Sequence, residues 1–362
     1  MSDRIFNFAA GPCTLPLPAL EKAQSEFVNY QGLGTSIIEQ SHRGKAYDAV
    51  HNEAIANLRS LLNVPEDFDI LLLHGGATLQ FVSIPMNLAK EGQSADYILT
   101  GAWSKKAAAE GKRVPGYKVI WTNEDEKFTR MPLAADIKPS DNASYVHLCS
   151  NETIGGIEVQ EYPDCGNVPL IIDASSHIMS QPIPFDKVSM VYAGAQKNLG
   201  PAGLGVVIIK KSLVESANMD IPAFLSYKTH ADNGSMYNTP PVFSIYMMKL
   251  TLDWVKENGG VTGMSALADQ RSKLIYDAID SSEGWYNCPV DKNSRSRMNI
   301  VWRLPSEDLE KKFIAEATEA GFSGLKGHRS VGGVRASMYN AMPVEGAAAL
   351  AKFMADFKKN NS

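Results

Sequence analysis

Cysteine is scarce in this chain, and its few cysteines lie far apart. The four of them, Cys13, Cys149, Cys165 and Cys288, form no C-x-x-C pair in 362 residues. This scatter argues against both a zinc knuckle and a disulfide framework, which need paired or closely spaced cysteines. We therefore predict no metal site and expect a protein of the reducing cytoplasm.

Long apolar runs are absent as well. No stretch of about 18 consecutive apolar residues occurs, and the N-terminal residues contain no run that could serve as a signal peptide. The sequence therefore predicts neither a membrane span nor secretion.

Positive charge is not in excess either, since the formal net charge is −5. A chain of this charge has no general electrostatic attraction for nucleic acid or for an anionic membrane surface, so any anion site must be local. The chain also lacks a G-x-G-x-x-G or Walker-type run. That absence argues against a nucleotide-dependent oxidoreductase, a class that shares the alternating α/β pattern.

What the chain does have is a regular alternation of short apolar runs and amphipathic segments. Its hydrophobic fraction of 44% and charged fraction of 21% are near globular averages, and its length favours about two domains. The apolar runs lie at 70–73, 95–99, 118–121, 145–148, 170–172 and 205–209. Separated by helical segments, they predict an α/β fold whose mostly parallel central sheet is flanked by helices.

The pattern changes after a helix predicted from Val242 to Glu257, which ends at a Gly-Gly pair. A second helix is predicted at about 262–281. Alternation at 296–303, with helices near 307–320 and 344–358, then indicates a smaller α+β unit. The first residues show no clear element and could cross over to that unit. We predict a large domain over 16–262 and a small domain formed by 1–15 and 263–362.

A Gly-rich turn between two apolar strands contains Lys197. Partial desolvation of a lysine at the edge of a sheet lowers its pKa and releases the neutral amine that forms a Schiff base. Earlier in the chain, Asp173 closes another apolar strand, where a buried carboxylate could hold a pyridine nitrogen protonated. Taken singly, Lys197 could be a surface lysine and Asp173 a helix-capping or turn residue.

A strand, a Gly-Gly turn and the start of a helix follow one another at 69–81. The backbone N–H groups at such a helix start attract a phosphate, and Thr78 adds a hydroxyl donor. Trp103 follows another predicted strand and could stack on the face of a planar ring. The alternatives are a simple tight connection for the turn and a core or interface position for Trp103.

Two basic clusters stand out in this acidic protein. One contains His42 and Arg43, and the other contains His328 and Arg329 and is followed by Arg335. Guanidinium groups bind carboxylate and phosphate in two-point geometry, so these residues could neutralise a substrate with several negative charges. A solvated basic loop is the alternative for either cluster.

Together these segments resemble the phosphoserine aminotransferases, a family of class V aminotransferases with the fold-type I architecture of pyridoxal-phosphate enzymes. The resemblance is carried, in family order, by the segments at 7–12, 34–44, 151–156, 192–203, 232–241 and 327–337. The Gly-Ala-Gln-Lys-Asn and Lys-Gly-His-Arg segments discriminate best, because many relatives share a lysine loop but act on other substrates.

The resemblance implies pyridoxal 5′-phosphate as the cofactor. It implies that Lys197 carries this cofactor, that Asp173 pairs with the pyridine nitrogen and that Trp103 stacks on the ring. Thr153 would contact the 3-hydroxyl group. The phosphate would be bound by Ala77, Thr78 and Gln196 and, from the neighbouring subunit of a symmetric homodimer with shared active sites, by Asn238 and Thr239.

The resemblance also implies the reaction, which is transfer of the amino group of L-glutamate to 3-phosphohydroxypyruvate in serine biosynthesis. A related activity on 3-hydroxy-2-oxo-4-phosphonooxybutanoate, in pyridoxine biosynthesis, is implied too. Arg335 would bind the α-carboxylate of the substrate. The distal phosphate or the glutamate γ-carboxylate would be surrounded by His42, Arg43, His328 and Arg329.

Other functions stay open at the level of the residues. Another class V enzyme, such as a serine-glyoxylate aminotransferase, would use the same lysine. A cysteine desulfurase would need a mobile cysteine near the cofactor, and nothing in the sequence places one there. A non-catalytic scaffold dimer on the same fold is a third possibility, although the joint presence of Lys197 and Asp173 argues against it.

Overall fold

A seven-stranded sheet forms the centre of the larger part of the chain, in a computed structural model that describes residues 4–362. The first three residues of the predicted 1–15 segment therefore lie outside the described part. The strands are β1 (Phe6–Asn7), β2 (Phe68–His74), β3 (Ser94–Leu99), β4 (Tyr117–Thr122), β5 (Ala143–Cys149), β6 (Asn151–Glu152), β7 (Ile157–Glu158), β8 (Leu170–Asp173), β9 (Met190–Gly194), β10 (Leu204–Lys210), β11 (Asn299–Trp302), β12 (Phe322–Ser323) and β13 (Val334–Ser337).

The strand order of the central sheet is β2-β10-β9-β8-β5-β3-β4. Strand β10 runs antiparallel to both of its neighbours, and every other adjacent pair is parallel. The predicted α/β fold with a mostly parallel sheet is therefore confirmed. One antiparallel strand within such a sheet lets β9 and β10 be joined by a short turn instead of a crossover helix.

Both faces of the sheet are covered, which explains why its strands read as nearly continuous apolar runs. Consecutive side chains of β8 point to opposite sides, Ile172 into one hydrophobic cluster and Ile171 into another. The helices are α1 (Leu17–Glu26), α2 (Lys45–Leu62), α3 (Gly76–Leu88), α4 (Ala102–Gly111), α5 (Lys211–Glu215), α6 (Tyr227–Asp232), α7 (Val242–Glu257), α8 (Gly260–Asp280), α9 (Glu307–Glu319) and α10 (Val344–Asn361). The cluster of Ile172 includes apolar side chains of α2 and α7, and that of Ile171 includes those of α3 and α4.

A separate hydrophobic cluster is built from the C-terminal third of the chain together with Phe8. Its centre is Phe313 on α9, whose ring contacts those of Trp302 and Phe357 among others. Strand β1 pairs with β12 in parallel, which brings the N-terminal segment to this part of the chain. The cluster supports the division into 16–262 and 1–15 with 263–362, whose boundaries stay a prediction.

None of the ten α-helices in residues 4–362 has the length and apolar character that crossing a bilayer requires.

Candidate active site

A cavity of about 350 Å³ lies at the carboxyl ends of β2, β5, β8 and β9. Ligands of parallel α/β sheets bind at this edge, because the strands deliver their following loops to one place there. Seven of the residues singled out in the sequence line the cavity: Ala77, Thr78, Trp103, Thr153, Asp173, Gln196 and Lys197. Segments that are distant in the sequence therefore meet at one site.

Lys197 lies in the turn between β9 and β10 and is more deeply buried than the sequence led us to expect. Only 7% of its surface is exposed, and its Nζ donates a hydrogen bond to Oγ1 of Thr153 at 2.6 Å. Burial lowers the pKa of the Lys197 amine, and the negative charge of Asp173 opposes that effect most strongly. No carboxylate among residues 4–362 lies within ion-pairing distance of Nζ. A buried amine in this setting has an increased tendency to lose its proton and react as a nucleophile.

Asp173 ends β8 and is also buried, with its Oδ1 accepting a hydrogen bond from the backbone N–H of Ser175 at 2.9 Å. Burial raises the pKa of the Asp173 carboxyl, while the hydrogen bonds of Ser175 and the charge of Lys197 act in the opposite direction. Behind it, the Ser150 hydroxyl donates to the Asp173 carbonyl at 2.8 Å and lies 2.6 Å from Nε2 of His177. The Ser175 bond holds the carboxylate, and the Ser150 bond holds the backbone of the same residue, which lines the cavity.

The turn from β2 into α3 provides the anion-binding end of the cavity. Gly75 adopts φ +85°, and a Cβ atom there would lie 2.6 Å from the Leu79 side chain, so the tight turn needs glycine. The first N–H groups of α3, including those of Ala77 and Thr78, have no acceptor within the helix. Together with the helix dipole and the Thr78 hydroxyl, they form a site suited to a phosphate group.

Trp103 lies in the first turn of α4, and its ring centroid is 5.5 Å from Nζ of Lys197. Its position is fixed by the buried Glu152, whose carboxylate accepts hydrogen bonds from the N–H groups of Trp103 at 2.9 Å and Ser104 at 2.8 Å. Gly101 allows this approach, because a Cβ atom there would lie 2.6 Å from the Glu152 carboxyl carbon. Sequence reasoning did not identify Glu152, although it included the segment 151–156.

Arg335, on β13, is 9% exposed, and its Nη1 donates to the backbone carbonyl of Thr153 at 3.4 Å. This bond places the guanidinium beside the cavity. His328 and Arg329 precede β13 in a loop, and the pKa of His328 is lowered by burial and then by the positive charges of Arg335, Arg329 and Lys106. Of the C-terminal basic cluster, Arg335 therefore contacts a cavity residue, whereas His328 and Arg329 do not line the cavity.

Seven of the predicted site residues do not line the cavity: His328, Arg329 and Arg335, described above, and four residues from two other segments. His42 and Arg43 precede α2, and Asn238 and Thr239 follow α6. The carbonyl of Thr239 accepts a hydrogen bond from Nε2 of His74 at 2.8 Å, at the end of β2. The roles given to these four residues stay predictions.

Sequence reasoning also missed a group of small polar residues on the cavity wall. Asn151 and Ser176 line the cavity and bond to each other, with Nδ2 of Asn151 2.7 Å from the Ser176 hydroxyl. The same amide donates to Oδ1 of Asn299 on β11 at 2.9 Å, which ties the cavity to the C-terminal unit. The only local signal was their position just after β5 and β8.

A family model described as Aminotransferase class-V matches residues 5–350 of the chain. The phosphoserine aminotransferase of Lysinibacillus sphaericus (strain C3-41) is 50% identical over 361 residues, which cover 100% of both chains.

Solved structures of phosphoserine aminotransferases are also similar to this chain, in sequence and in fold. The structure of a phosphoserine aminotransferase from Bacillus circulans subsp. alkalophilus is 50% identical and superposes with a TM-score of 0.98, covering 100% of each chain. A PLP-bound phosphoserine aminotransferase from Trichomonas vaginalis is 43% identical, with a TM-score of 0.93 over 97% of this chain and 100% of that chain. The likeness therefore extends over the whole fold and both hydrophobic units.

Proposed function

This chain belongs to the class V aminotransferase family, and from that premise we propose that it is a phosphoserine aminotransferase. It transfers the amino group of L-glutamate to 3-phosphohydroxypyruvate and yields O-phospho-L-serine and 2-oxoglutarate, a step of serine biosynthesis. Identity of 50% over the full length to relatives of that name supports this assignment. The observation that carries it is the buried Lys197 amine, held in one cavity with Asp173 and beside Arg335.

The residues of the cavity fit pyridoxal 5′-phosphate, which the related Trichomonas vaginalis protein binds. Three features match three parts of this molecule: for the aldehyde, a buried amine that makes no ion pair within residues 4–362; for the phosphate, the start of α3; and for the ring nitrogen, a buried carboxylate. When bound, the cofactor supplies an electron-accepting ring that stores the amino group between the two halves of the reaction.

Each cavity residue would then have a defined task. Lys197 would hold the cofactor and, once released from it by the incoming amino acid, would use Nζ to accept the α-proton of the substrate. Asp173 would keep the ring nitrogen protonated, Trp103 would stack on the ring, and Thr153 would contact its 3-hydroxyl group. The cofactor phosphate would be bound by Ala77, Thr78 and Gln196.

Arg335 would fix the α-carboxylate of the substrate by a two-point contact, which also sets the direction of the Cα–H bond. His328 and Arg329, with His42 and Arg43, would bind the distal anion. A single site has to accept the phosphate of one substrate and the γ-carboxylate of the other in turn. Histidine and arginine side chains on loops can adjust to both groups.

The assay that tests this function follows amino transfer from L-glutamate by the purified protein supplied with pyridoxal 5′-phosphate. We expect rapid turnover with 3-phosphohydroxypyruvate, weaker turnover with glyoxylate, and parallel double-reciprocal plots, because donor and acceptor occupy the same cavity alternately. Turnover with glyoxylate and not with the phosphorylated acid would contradict the proposal and favour a serine-glyoxylate aminotransferase. The same assay with 3-hydroxy-2-oxo-4-phosphonooxybutanoate measures the proposed second activity in pyridoxine biosynthesis.

We further propose a symmetric homodimer in which each active site uses residues of both subunits. Two observations support it. Asn238, Thr239, His42 and Arg43 do not line the cavity of their own chain, and two large apolar side chains near Asn238 are exposed, namely Phe224 at 42% and Tyr237 at 45%. Paired copies would cover these side chains and complete the anion sites.

A mixing experiment tests the shared site. Lys197→Ala and the double variant Asn238→Ala with Thr239→Ala should each have little activity at limiting cofactor. After the two are unfolded and refolded together, about a quarter of the wild-type activity should return, because half of the dimers then contain one site with both sets of native residues. Absence of any gain, or a monomer in analytical ultracentrifugation, would contradict the shared dimer.

We also propose that the protein works in the cytoplasm. All four cysteines are free thiols, and Cys149 and Cys165 are buried. Burial raises the pKa of both thiols, which keeps them protonated and unreactive. A chain with this cysteine usage suits a reducing compartment.

A further inference from the structure

Lys106 lies beside the active site but was not identified in the sequence. It is located on α4, three residues after Trp103, and its Nζ lies 4.2 Å from the centroid of the Trp103 ring. Residues three apart on a helix lie on the same face, and long side chains point back toward the N-terminal end. The Lys106 side chain therefore extends along the indole of Trp103, which lines the cavity, although Lys106 itself does not.

The distance from Lys106 to the reactive lysine is bounded by two measured contacts. The Trp103 ring centroid is 4.2 Å from Nζ of Lys106 and 5.5 Å from Nζ of Lys197. The two nitrogens are therefore no more than about 10 Å apart, which is roughly one Debye length at 0.1 M salt. In a three-carbon substrate the phosphorus atom lies three bonds from the α-carbon, a span shorter than this separation.

The charge of Lys106 is not neutralised by the protein. Among residues 4–362 it makes no ion pair, whereas its neighbour Lys105 pairs with Glu124 at 2.5 Å. The two lysines lie on the same helix and are both exposed. They differ in that Lys105 points to an acidic partner and Lys106 points to the aromatic wall of the cavity.

Lys106 also has an electrostatic effect on His328, one of the residues predicted to bind the distal anion. Its positive charge contributes, with those of Arg335 and Arg329, to lowering the pKa of His328. The electrostatic influence of Lys106 therefore extends to the loop that carries His328, and both segments present positive charge.

We propose that Lys106 is a further specificity-determining residue, which binds the distal phosphate of the phosphorylated substrates and favours them over glutamate. This inference rests on the proposed function. A phosphate monoester carries about −1.5 to −2 charges at neutral pH, and the γ-carboxylate of glutamate carries one. An unpaired ammonium group therefore stabilises the bound phosphate more strongly, and its stacking on Trp103 reduces the freedom that it loses on binding.

The test compares Lys106→Gln with the matched control Lys105→Gln and with the conservative Lys106→Arg. For Lys106→Gln we expect the Kd of O-phospho-L-serine and the KM for the phosphorylated keto acid to rise about tenfold. The KM for glutamate should rise no more than about threefold and kcat should change less than about twofold, since only ground-state binding is lost. Lys106→Arg should restore most of the affinity, Lys105→Gln should behave like the unchanged protein, and the defect should shrink at high salt.

A second measurement does not depend on turnover. Histidine NMR titration, with the His328 signal assigned by its loss in His328→Asn, should show a raised pKa of His328 in Lys106→Gln and an unchanged pKa in Lys105→Gln.

The outcomes of these experiments distinguish failure of the proposed function from failure of the proposed role of Lys106. Absence of turnover by the unchanged protein would overturn the proposed function. An active unchanged protein, with equal kinetics and equal His328 titration in the two glutamine variants, would overturn the role of Lys106 alone. A fall in kcat shared by phosphorylated and unphosphorylated substrates would overturn it as well, because that pattern indicates a displaced Trp103.

Discussion

Replacing Lys197 by alanine should lower the rate of amino transfer by at least about 10⁴-fold. The variant loses both the covalent attachment of the cofactor and the only amine of the cavity wall that can accept the α-proton. In the structure, Nζ of Lys197 is bonded to Thr153 at 2.6 Å, and no second lysine lines the cavity in the described part of the chain. Initial rates with glutamate and 3-phosphohydroxypyruvate measure the effect.

Two further readouts distinguish a chemical loss from a folding defect. Lys197→Ala should keep the thermal unfolding midpoint of the unchanged protein, because the substitution removes a costly buried amine. It should lack the visible absorption band of the lysine-bound cofactor, and a small primary amine in the buffer should restore part of the rate. A suitable control is Lys187→Ala, since the Lys187 amine bonds only to the Tyr162 carbonyl at 3.1 Å, outside the cavity. Retention of most activity by Lys197→Ala would contradict the assignment of Lys197 as the lysine that carries the cofactor and accepts the α-proton.

Replacing Asp173 by asparagine should lower kcat by about 10²- to 10⁴-fold, while the fold and the KM values for the substrates change little. The amide has nearly the same shape and can still accept the hydrogen bond of the Ser175 N–H at 2.9 Å. It carries no charge, however, so it cannot hold a pyridine nitrogen protonated, and the electron-accepting power of the ring falls.

The chain provides a matched control for this variant. Oδ1 of Asp164 accepts a hydrogen bond from the N–H two residues later, at 2.9 Å, as Oδ1 of Asp173 does, but Asp164 is exposed and does not line the cavity. Asp164→Asn should therefore retain full activity. Equal activity of Asp173→Asn and Asp164→Asn would show that the buried carboxylate has no electronic role.

The local sequence was sufficient to predict the elements that supply the reactive groups. Asp173 and Lys197 each follow a short apolar strand, and helix α7 was predicted with the bounds that the structure has, Val242–Glu257. These features depend on hydrophobic periodicity and on turn residues, which act within a few positions of each other. A buried strand that ends in a polar residue delivers that residue to the edge of a parallel sheet, so the position of the site could be inferred as well.

Contacts between segments that are distant in the sequence could not be predicted from such local patterns. The bonds from Glu152 to the start of α4 join residues about 50 positions apart, and they depend on how β5 and β3 lie beside each other in the sheet. The pairing of Lys105 with Glu124 joins residues 19 positions apart and depends on how α4 lies against the segment after β4. The contact of Lys106 with Trp103, in contrast, lies within α4. The spacing of three positions indicates the contact of Lys106 with Trp103, but it does not show which of the two lysines has an acidic partner.

The sequence by itself determined the fold class and the family, and it predicted Lys197 and Asp173 as the reactive lysine and carboxylate, because these follow from local patterns and from segments shared with relatives. The tertiary structure alone decided how deeply Lys197 is buried, which lysine beside Trp103 makes no ion pair within residues 4–362, and that His42, Arg43, Asn238 and Thr239 do not line the cavity of their own chain. Burial and charge pairing are properties of the space around a side chain, and that space is built by residues from many parts of the chain.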